Sequence, residues 1–553
     1  MVRKGNIKSS RFIQSALLLI ALAPLLAAPP QAGRSYDLVV YGGTAGGVLT
    51  AVSAAREGLG VVLLEPGSHL GGMVAGGLSA TDYGKKEAIG GYALEFFWRL
   101  GNHYGMRRYG QDAAWYFEPH IGEQVLKEMA SEAGVTVLYH HRLREKEGVR
   151  KEGTRVTQIV MENGSAFAGK IFADCSYEGD LMAQAGISYT WGREGVDRYG
   201  ESLAGVRDRT PFHQFKVNIS PYDSGGKLLP EVAAEPAGPV GSADRKVQAY
   251  NFRLCLTRDR NNQVPFPKPA DYDPRRYELL SRLLAATVAQ TGRAPKFGEL
   301  ANPVNLPVGK ADTNNNGPFS TDYIGKNWAY PEADYATRER IRQDHLDYTA
   351  GFFYFLAHDP RVPESLRSEV NEWGLAKDEF TDSANWPGQL YIREARRMIG
   401  EYVMIQKDLQ TELTKPDPVG MGSYNSDSHN IQRIVTGDGY VMNEGDMQVA
   451  VKPYQIPYRV MTPKRGEASN LLVPVCVSAS HVAYSSLRME PQYMIMGQAA
   501  GVAAKMAVVG KLAVQDIDSA ALTRTLVGQG AVIEYNPGPP RPAWKGFRQT
   551  GGN

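Results

Sequence analysis

Between Tyr41 and Gly47 the chain reads Tyr-Gly-Gly-Thr-Ala-Gly-Gly, and a single acid, Glu65, follows about twenty residues later. Closely spaced glycines let a backbone bend sharply and bring its amides up to a bulky anion, and a carboxylate at that distance can accept hydrogen bonds from a ribose. The chemistry this points to is the gripping of a dinucleotide. Gly43 and Gly46 stand where close backbone approach and helix–strand packing need them, with Gly42, Thr44 and Ala45 completing the turn. Tyr41 occupies the place of the first glycine in the general pattern, and Gly42 beside it is expected to take the bend.

Such a turn works only between a strand and a helix. Residues 36–41 form a β-branched run ending in the glycines; Val48, Ala51, Val52 and Ala55 then fall on one helical stripe, and 61–65 reads as a second buried strand. Strand, turn, helix and strand within thirty-odd residues make a βαβ unit and hence a parallel sheet. Helices are expected over 92–104 and 120–133, a strand over 135–140, and paired strands within 155–172 turning at Asn163-Gly164, leading into a strand at 171–174. From about 192 to 430 the texture changes to Pro- and Gly-rich connections alternating with helices, placed at 336–357 and 391–411. Short apolar strands return, including 471–477, followed by a helix over 491–509 with Pro491 at its first position and Gly510 as its cap.

Bulk properties narrow the classes. At 553 residues and 43% hydrophobic content the chain can bury a large core in more than one unit. A formal net charge of +2 leaves no footprint for nucleic acid. The first 32 residues combine a positive flank (Arg3, Lys4, Lys8, Arg11) with an apolar run over 16–28 and small residues, the pattern of a secretory signal. The chain is therefore expected to be exported, with no stable membrane span once the signal is removed; an uncleaved anchor is the alternative. Cys175, Cys255 and Cys476 are isolated in apolar settings, read as small buried hydrophobes, and supply no metal or iron–sulfur ligand set.

Further blocks carry a resemblance. The stretch 69–73, His-Leu-Gly-Gly-Met, resembles the second flavin-contacting turn of FAD-dependent oxidoreductases of the glutathione-reductase structural type. The tyrosine-led turn, Asp-Cys-Ser-Tyr-Glu-Gly-Asp-Leu at 174–181, Gln-Ala-Tyr-Asn at 248–251, Asp-Thr-Asn-Asn at 312–315, 422–429, 478–483, and Arg-Met-Glu-Pro at 488–491 running into Gly-Gln-Ala-Ala-Gly resemble one family in that group, named simply FAD-dependent oxidoreductase. The likeness spans nearly all of 37–507. That family is related to the flavoprotein part of heterodisulfide reductase, but the cysteines for its iron–sulfur clusters are missing here.

The resemblance implies an α/β chain: a Rossmann-like FAD-binding domain with a parallel sheet, helices and a β-meander, and an inserted mixed α+β substrate domain. The segments would be 1–32 signal, 36–191 first FAD-binding part, 192–435 insert, 436–515 return segment and 516–553 tail. It implies FAD held by Gly42, Gly43, Thr44, Ala45, Gly46, Glu65, Pro66, Gly71, Gly72, Met73 and Asp174, with Gly497, Gln498 and Gly501 letting the last helix pack against cofactor or sheet. A flavin supplies hydride chemistry, so the protein must provide a proton acceptor and charge stabilisation. His481 is the first choice for the acceptor, Arg488 for stabilising an anion, and Asp427 and His429 stand second; each also has a purely structural reading. No metal site is expected. The expected activity is hydride transfer between flavin and a small organic, sugar-related substrate, with no motif naming the electron acceptor. The alternatives are a polysaccharide-associated lyase or sugar-binding protein keeping FAD as a structural element, an NAD-dependent dehydrogenase, and a scaffold for an electron-transfer partner.

Overall fold

The computed structural model describes residues 35–106 and 113–538, with Met1 and Val2. The signal assigned to 1–32 and the last residues of the 516–553 tail lie outside the described residues.

The chain begins with strand β1 (Ser35–Tyr41), helix α1 (Ala45–Arg56) and strand β2 (Val61–Leu64). After them come α2 (Gly91–His103), α3 (Pro119–Glu132), β3 (Thr136–Leu138) and the meander β4 (Val149–Glu152), β5 (Arg155–Val160) and β6 (Ala166–Asp174). They form one sheet in the order β3-β2-β1-β6-β5-β4. β1 pairs in parallel with both β2 and β6, whereas β5 runs antiparallel to β6 and β4. The expected 171–174 strand is the end of β6 itself.

Alternation along β1 splits its side chains between two cores. Leu38 and Val40 pack with α1, while Val39 and Tyr41 pack on the opposite face with Val62, Phe172 and Leu181. This explains the tyrosine-led turn: the Tyr41 ring lies on the far face of the sheet, where its hydroxyl accepts a hydrogen bond from the Leu143 amide at 3.2 Å.

A second, antiparallel sheet is built from β7 (Leu254–Thr257), β8 (Gln263–Val264), β9 (Pro303–Asn305), β10 (Lys310–Thr313) and β11 (Gly374–Ala376), in the order β9-β10-β7-β11-β8. The long helix α4 (Tyr335–His358) falls between β10 and β11 in the chain, as its pattern predicts. The chain then returns through β12 (Leu471–Leu472), which joins β6 in parallel, to α5 (His481–Leu487) and α6 (Glu490–Gly510). α6 is the one helix among the described residues long and apolar enough to cross a membrane, and it is mostly buried, packed along α1.

Two expected elements differ. The helix over 391–411 is extended at its start and becomes helical only at Gln406–Gln410. Asn251 bridges Tyr391, and Arg393, Arg396 and Arg397 are each drawn to a different distant carboxylate: Asp322, Asp180 and Glu194. Those partners lie on separate elements, so tertiary ion pairing overrides local helix propensity. The strand over 471–477 stops at Leu472, because Val473 and Ser478 donate single hydrogen bonds to Met461 and Val460 instead of continuing the ladder. At the end of α6 the left-handed cap is Lys511, one residue beyond Gly510.

Candidate functional site

Gly42 has φ +97°, and a Cβ there would fall 2.7 Å from the Ser176 amide nitrogen, so this position demands glycine. Thr44 caps α1: its hydroxyl accepts from the Gly47 amide at 3.1 Å and donates to the Cys175 carbonyl at 2.8 Å. Among the described residues the Ala45 and Gly46 amides have no hydrogen-bond partner. Glu65 Oε2 accepts from the Gly43 amide at 2.8 Å and Oε1 from the Gly67 amide at 2.6 Å. Burial pushes its carboxyl up to about 7 despite those two amides.

This turn opens onto a cleft of about 680 Å³. Gly42, Thr44, Glu65, Pro66 and Gly72 line one wall, with Ser176, Tyr177 and Glu178; residues 378–383 and 388–390 line the other. The cleft fits FAD on three counts. Its volume lies within the roughly 300–1,000 Å³ of cofactor and ligand sites. The α1 N-terminus presents free amides at its edge, as a diphosphate requires. Glu65 retains acceptor capacity for ribose hydroxyls, since a carboxylate offers about four lone-pair sites and two are used.

The remaining expected cofactor residues divide. Gly71 donates its amide to the Gly43 carbonyl at 2.7 Å, and the Met73 amide donates to the Tyr177 hydroxyl at 2.9 Å, so the second turn is fastened to the first. Asp174 is fully buried and absent from the cleft wall; its carboxylate accepts from the Ser176 hydroxyl and the Ser176 and Met182 amides. It therefore shapes the turn that presents Ser176, Tyr177 and Glu178. Gly46, Gly497 and Gly501 serve the contact between α1 and α6: a Cβ on Gly497 would sit 2.3 Å from the Gly46 carbonyl oxygen, and one on Gly501 2.6 Å from that of Thr50. Gln498 is committed to Tyr92 and Gln529. Gly497 and Gly501 thus let α6 close on α1, while the Gln498 side chain ties α6 to Tyr92 on α2 and to Gln529.

Leu390 of the cleft wall is followed by Tyr391, which is outside the lining and whose ring lies under the guanidiniums of Arg393 (4.6 Å) and Arg253 (5.5 Å). The Tyr391 hydroxyl meets Arg488 Nη1 at 3.5 Å, and Arg488 Nη2 donates to the Asp427 carbonyl at 2.8 Å and lies 4.0 Å from its carboxylate. Asp427 Oδ1 stands 4.0 Å from His429 Nε2, and Tyr424 donates to Asp427 Oδ2 at 3.4 Å. Asp427 keeps 16% and His429 10% of their side-chain surface accessible deep within the chain. Three of the four expected catalytic residues, Asp427, His429 and Arg488, are thereby brought together. Burial, then Arg393, pushes the His429 imidazole down to about 4.

His481 is not in that group. Its Nδ1 lies 2.8 Å from Glu394 Oε2 and its amide donates to Glu194 at 2.9 Å, within a buried network closed by Arg397. Burial, then the Arg397 charge, presses it down to about 3. Gln248 joins the two histidines, its amide nitrogen donating to Glu394 and its oxygen accepting from the His429 amide. In the cleft wall His120 and Glu379, with Glu118, bring ligand-type atoms within 4.8 Å of one another, but the Lys310 ammonium already bonds Glu118 and Glu379, at 2.6 and 2.7 Å.

Sequence reasoning missed Tyr177 and Glu178 in the cleft and Tyr391, Arg393 and Asp322 around Arg488 and His429. The first two sit inside a block already singled out; the others are assembled from distant segments by ion pairing and carry no local signature.

A family model described as FAD dependent oxidoreductase matches residues 37–526. No curated protein matches the chain. Among solved structures, it is similar to THI4 of Thermovibrio ammonificans, with 19% identity over 29% of this chain and 66% of that one and a TM-score of 0.22. It is also similar to p-nitrophenol 4-monooxygenase PnpA of Pseudomonas putida, at 20% identity over 29% and 46%, TM-score 0.20. A third is thioredoxin reductase of T. acidophilum, at 19% identity over 26% and 35%, TM-score 0.16. The chain spans less than two-thirds of the length of each.

Proposed function

The chain belongs to the FAD dependent oxidoreductase family, and from that premise we propose that it is an exported enzyme oxidising or reducing a small, hydroxyl-bearing, sugar-related substrate beside the cofactor cleft. Gly42, Gly43, Thr44 and Glu65, with Pro66, Gly71, Gly72 and Met73, hold the FAD. When bound, FAD supplies the hydride chemistry.

One observation carries this reading: His429 and Asp427, both with accessible surface, converge with Arg488 beside Tyr391, the residue that follows Leu390 of the cleft wall. His429, rather than His481, is the proton acceptor. Both rings place Nδ1 on a buried carboxylate, but His429 Nε2 faces Asp427 and Arg488 stands beside that acid, and the His429 side chain keeps 10% of its surface accessible against 4% for His481. Arg488 holds negative charge that develops on the substrate oxygen, and the Asp427 carbonyl fixes its direction. The guanidinium, carboxyl and phenol groups gathered at Arg488, Asp427 and Tyr424 suit a compound bearing several hydroxyls. Export rests on the signal-like first 32 residues.

The test is anaerobic mixing of the yellow holoenzyme with a panel of aldoses, uronic acids and polyols. Bleaching of the visible flavin band supports the reading. Product formation without bleaching would make the protein a lyase with structural FAD. Fractionation of cells expressing the full chain, with the mass of the mature protein, tests export.

A further inference from the structure

His429 has a second ring nitrogen, and the groups around that nitrogen are more tightly specified than those around the first. Nδ1 lies 2.7 Å from Asp322 Oδ2. The other Asp322 oxygen is 2.9 Å from Arg393 Nη2, and Arg393 is itself tied to the Ala249 carbonyl. Burial alone would raise the Asp322 carboxyl; Arg393 and then His429 hold it down at about 2. An ionised carboxylate can only accept, so the proton between the pair belongs to Nδ1. At 4.0 Å from Asp427, Nε2 makes no hydrogen bond and is left as a bare acceptor.

Other contacts fix the His429 backbone and one face of its ring. Gln248 accepts from the His429 amide at 3.1 Å. Asp427 lies on the short strand Ser426–Ser428, which pairs antiparallel with Met447–Val449, and the ring of His213 stacks on that of His429 with centroids 6.3 Å apart and planes 12° apart. The charged and titratable groups that face the imidazole are Asp322, Arg393, Asp427, Arg488 through Asp427, Asp446 and His213. Asp446 is pushed up to about 7 by burial and then by Asp427, and burial lowers His213. Asp322 is the carboxylate in direct contact with the ring, and it comes from a segment 107 residues away.

We propose that Asp322 is a positioning residue of this site: clamped by Arg393, its carboxylate fixes His429 as the Nδ1–H tautomer and so aims Nε2 at the substrate's proton. The inference rests on the reading of His429 as proton acceptor. In the step it describes, the substrate O–H bond breaks, the proton passes to Nε2, and the Nδ1 proton stays where it is. Asp322 takes up no proton; it steadies the positive charge that the imidazole gains.

The experiment is a proton–nitrogen multiple-bond NMR spectrum of the FAD-loaded protein with its ten histidines labelled with nitrogen-15, the His429 signals being identified by their loss in His429→Gln. The expected result is a neutral imidazole protonated at Nδ1 throughout about pH 5 to 8. In Asp322→Asn, an amide donor facing Nδ1 is expected to move the proton to Nε2, and Asp322→Glu to restore the wild-type pattern. An Nε2–H tautomer in the wild type, or an unchanged pattern in Asp322→Asn, would overturn the proposal. The wild-type spectrum alone decides if the asparagine variant fails to fold. A separate measurement keeps the two readings apart: if His429→Gln bleaches with the sugar panel as fast as wild type, the proton-acceptor reading falls, whatever tautomer the spectrum shows.

Discussion

Glu65 answers two amides at once, and its carboxyl sits near neutrality because burial outweighs them. Its ordinary value is 4.5 and its folded value about 7, so between them the folded chain holds the extra proton. The stability of the cofactor-free protein therefore declines as pH rises through that window. FAD affinity should run the other way, because ribose hydroxyls donate to the ionised form: binding is expected to weaken as pH falls below about 7, in a fluorescence titration of deflavinated protein. Glu65→Gln is expected to cost about 10- to 100-fold in FAD affinity, the worth of a charged hydrogen bond. Beside Asp427 and Arg488, His429→Gln is expected to slow substrate-driven bleaching by about 10²–10⁴-fold. His481→Gln should instead lower the melting temperature by leaving Glu394 short of a partner, with bleaching by the folded fraction little changed.

Among the elements, the contact between α1 and α6 is the tightest, since glycines let backbone meet backbone. Gly497→Ala places a methyl 2.3 Å from the Gly46 carbonyl oxygen. It is expected to cost about 1–3 kcal/mol in thermal or denaturant unfolding, with weaker FAD retention as α1 is displaced. This contact also marks what the sequence makes legible. The βαβ unit, the meander and α6 follow from periodicities of two and 3.6, which local residues carry by themselves. The glycines of α6 were legible as close packing, but not which surface they pack on. The extended run from Tyr391 to Arg397 was not legible at all, because its shape comes from Asp322, Asp180 and Glu194. For the same reason Asp427, His429 and Arg488 could be named from their residue types, whereas Asp322 and Arg393 could not.

Across the whole molecule, a bridge closes over the cofactor cleft. His69, four residues after Glu65, contacts Glu123 at 3.1 Å and Asp382 on the opposite wall at 2.8 Å. Glu123, then Asp382, raises the His69 imidazole to about 9 from 6.5. The bridge is thus intact below 6.5 and lost as pH rises through about 9. Both partners are half exposed, so the effect should appear in cofactor release rather than in global stability. Asp382→Asn is expected to speed flavin release severalfold at neutral pH, with the difference from wild type vanishing above about 9. The β1–α1 turn and Glu65 together form the grip on the cofactor. The direct measurement is titration of deflavinated wild-type and Glu65→Gln protein with FAD, followed by quenching of flavin fluorescence. One equivalent taken up tightly by the wild type, and weakly by the variant, is the expected result; a wild type that takes up none, or a variant that binds equally well, would contradict it.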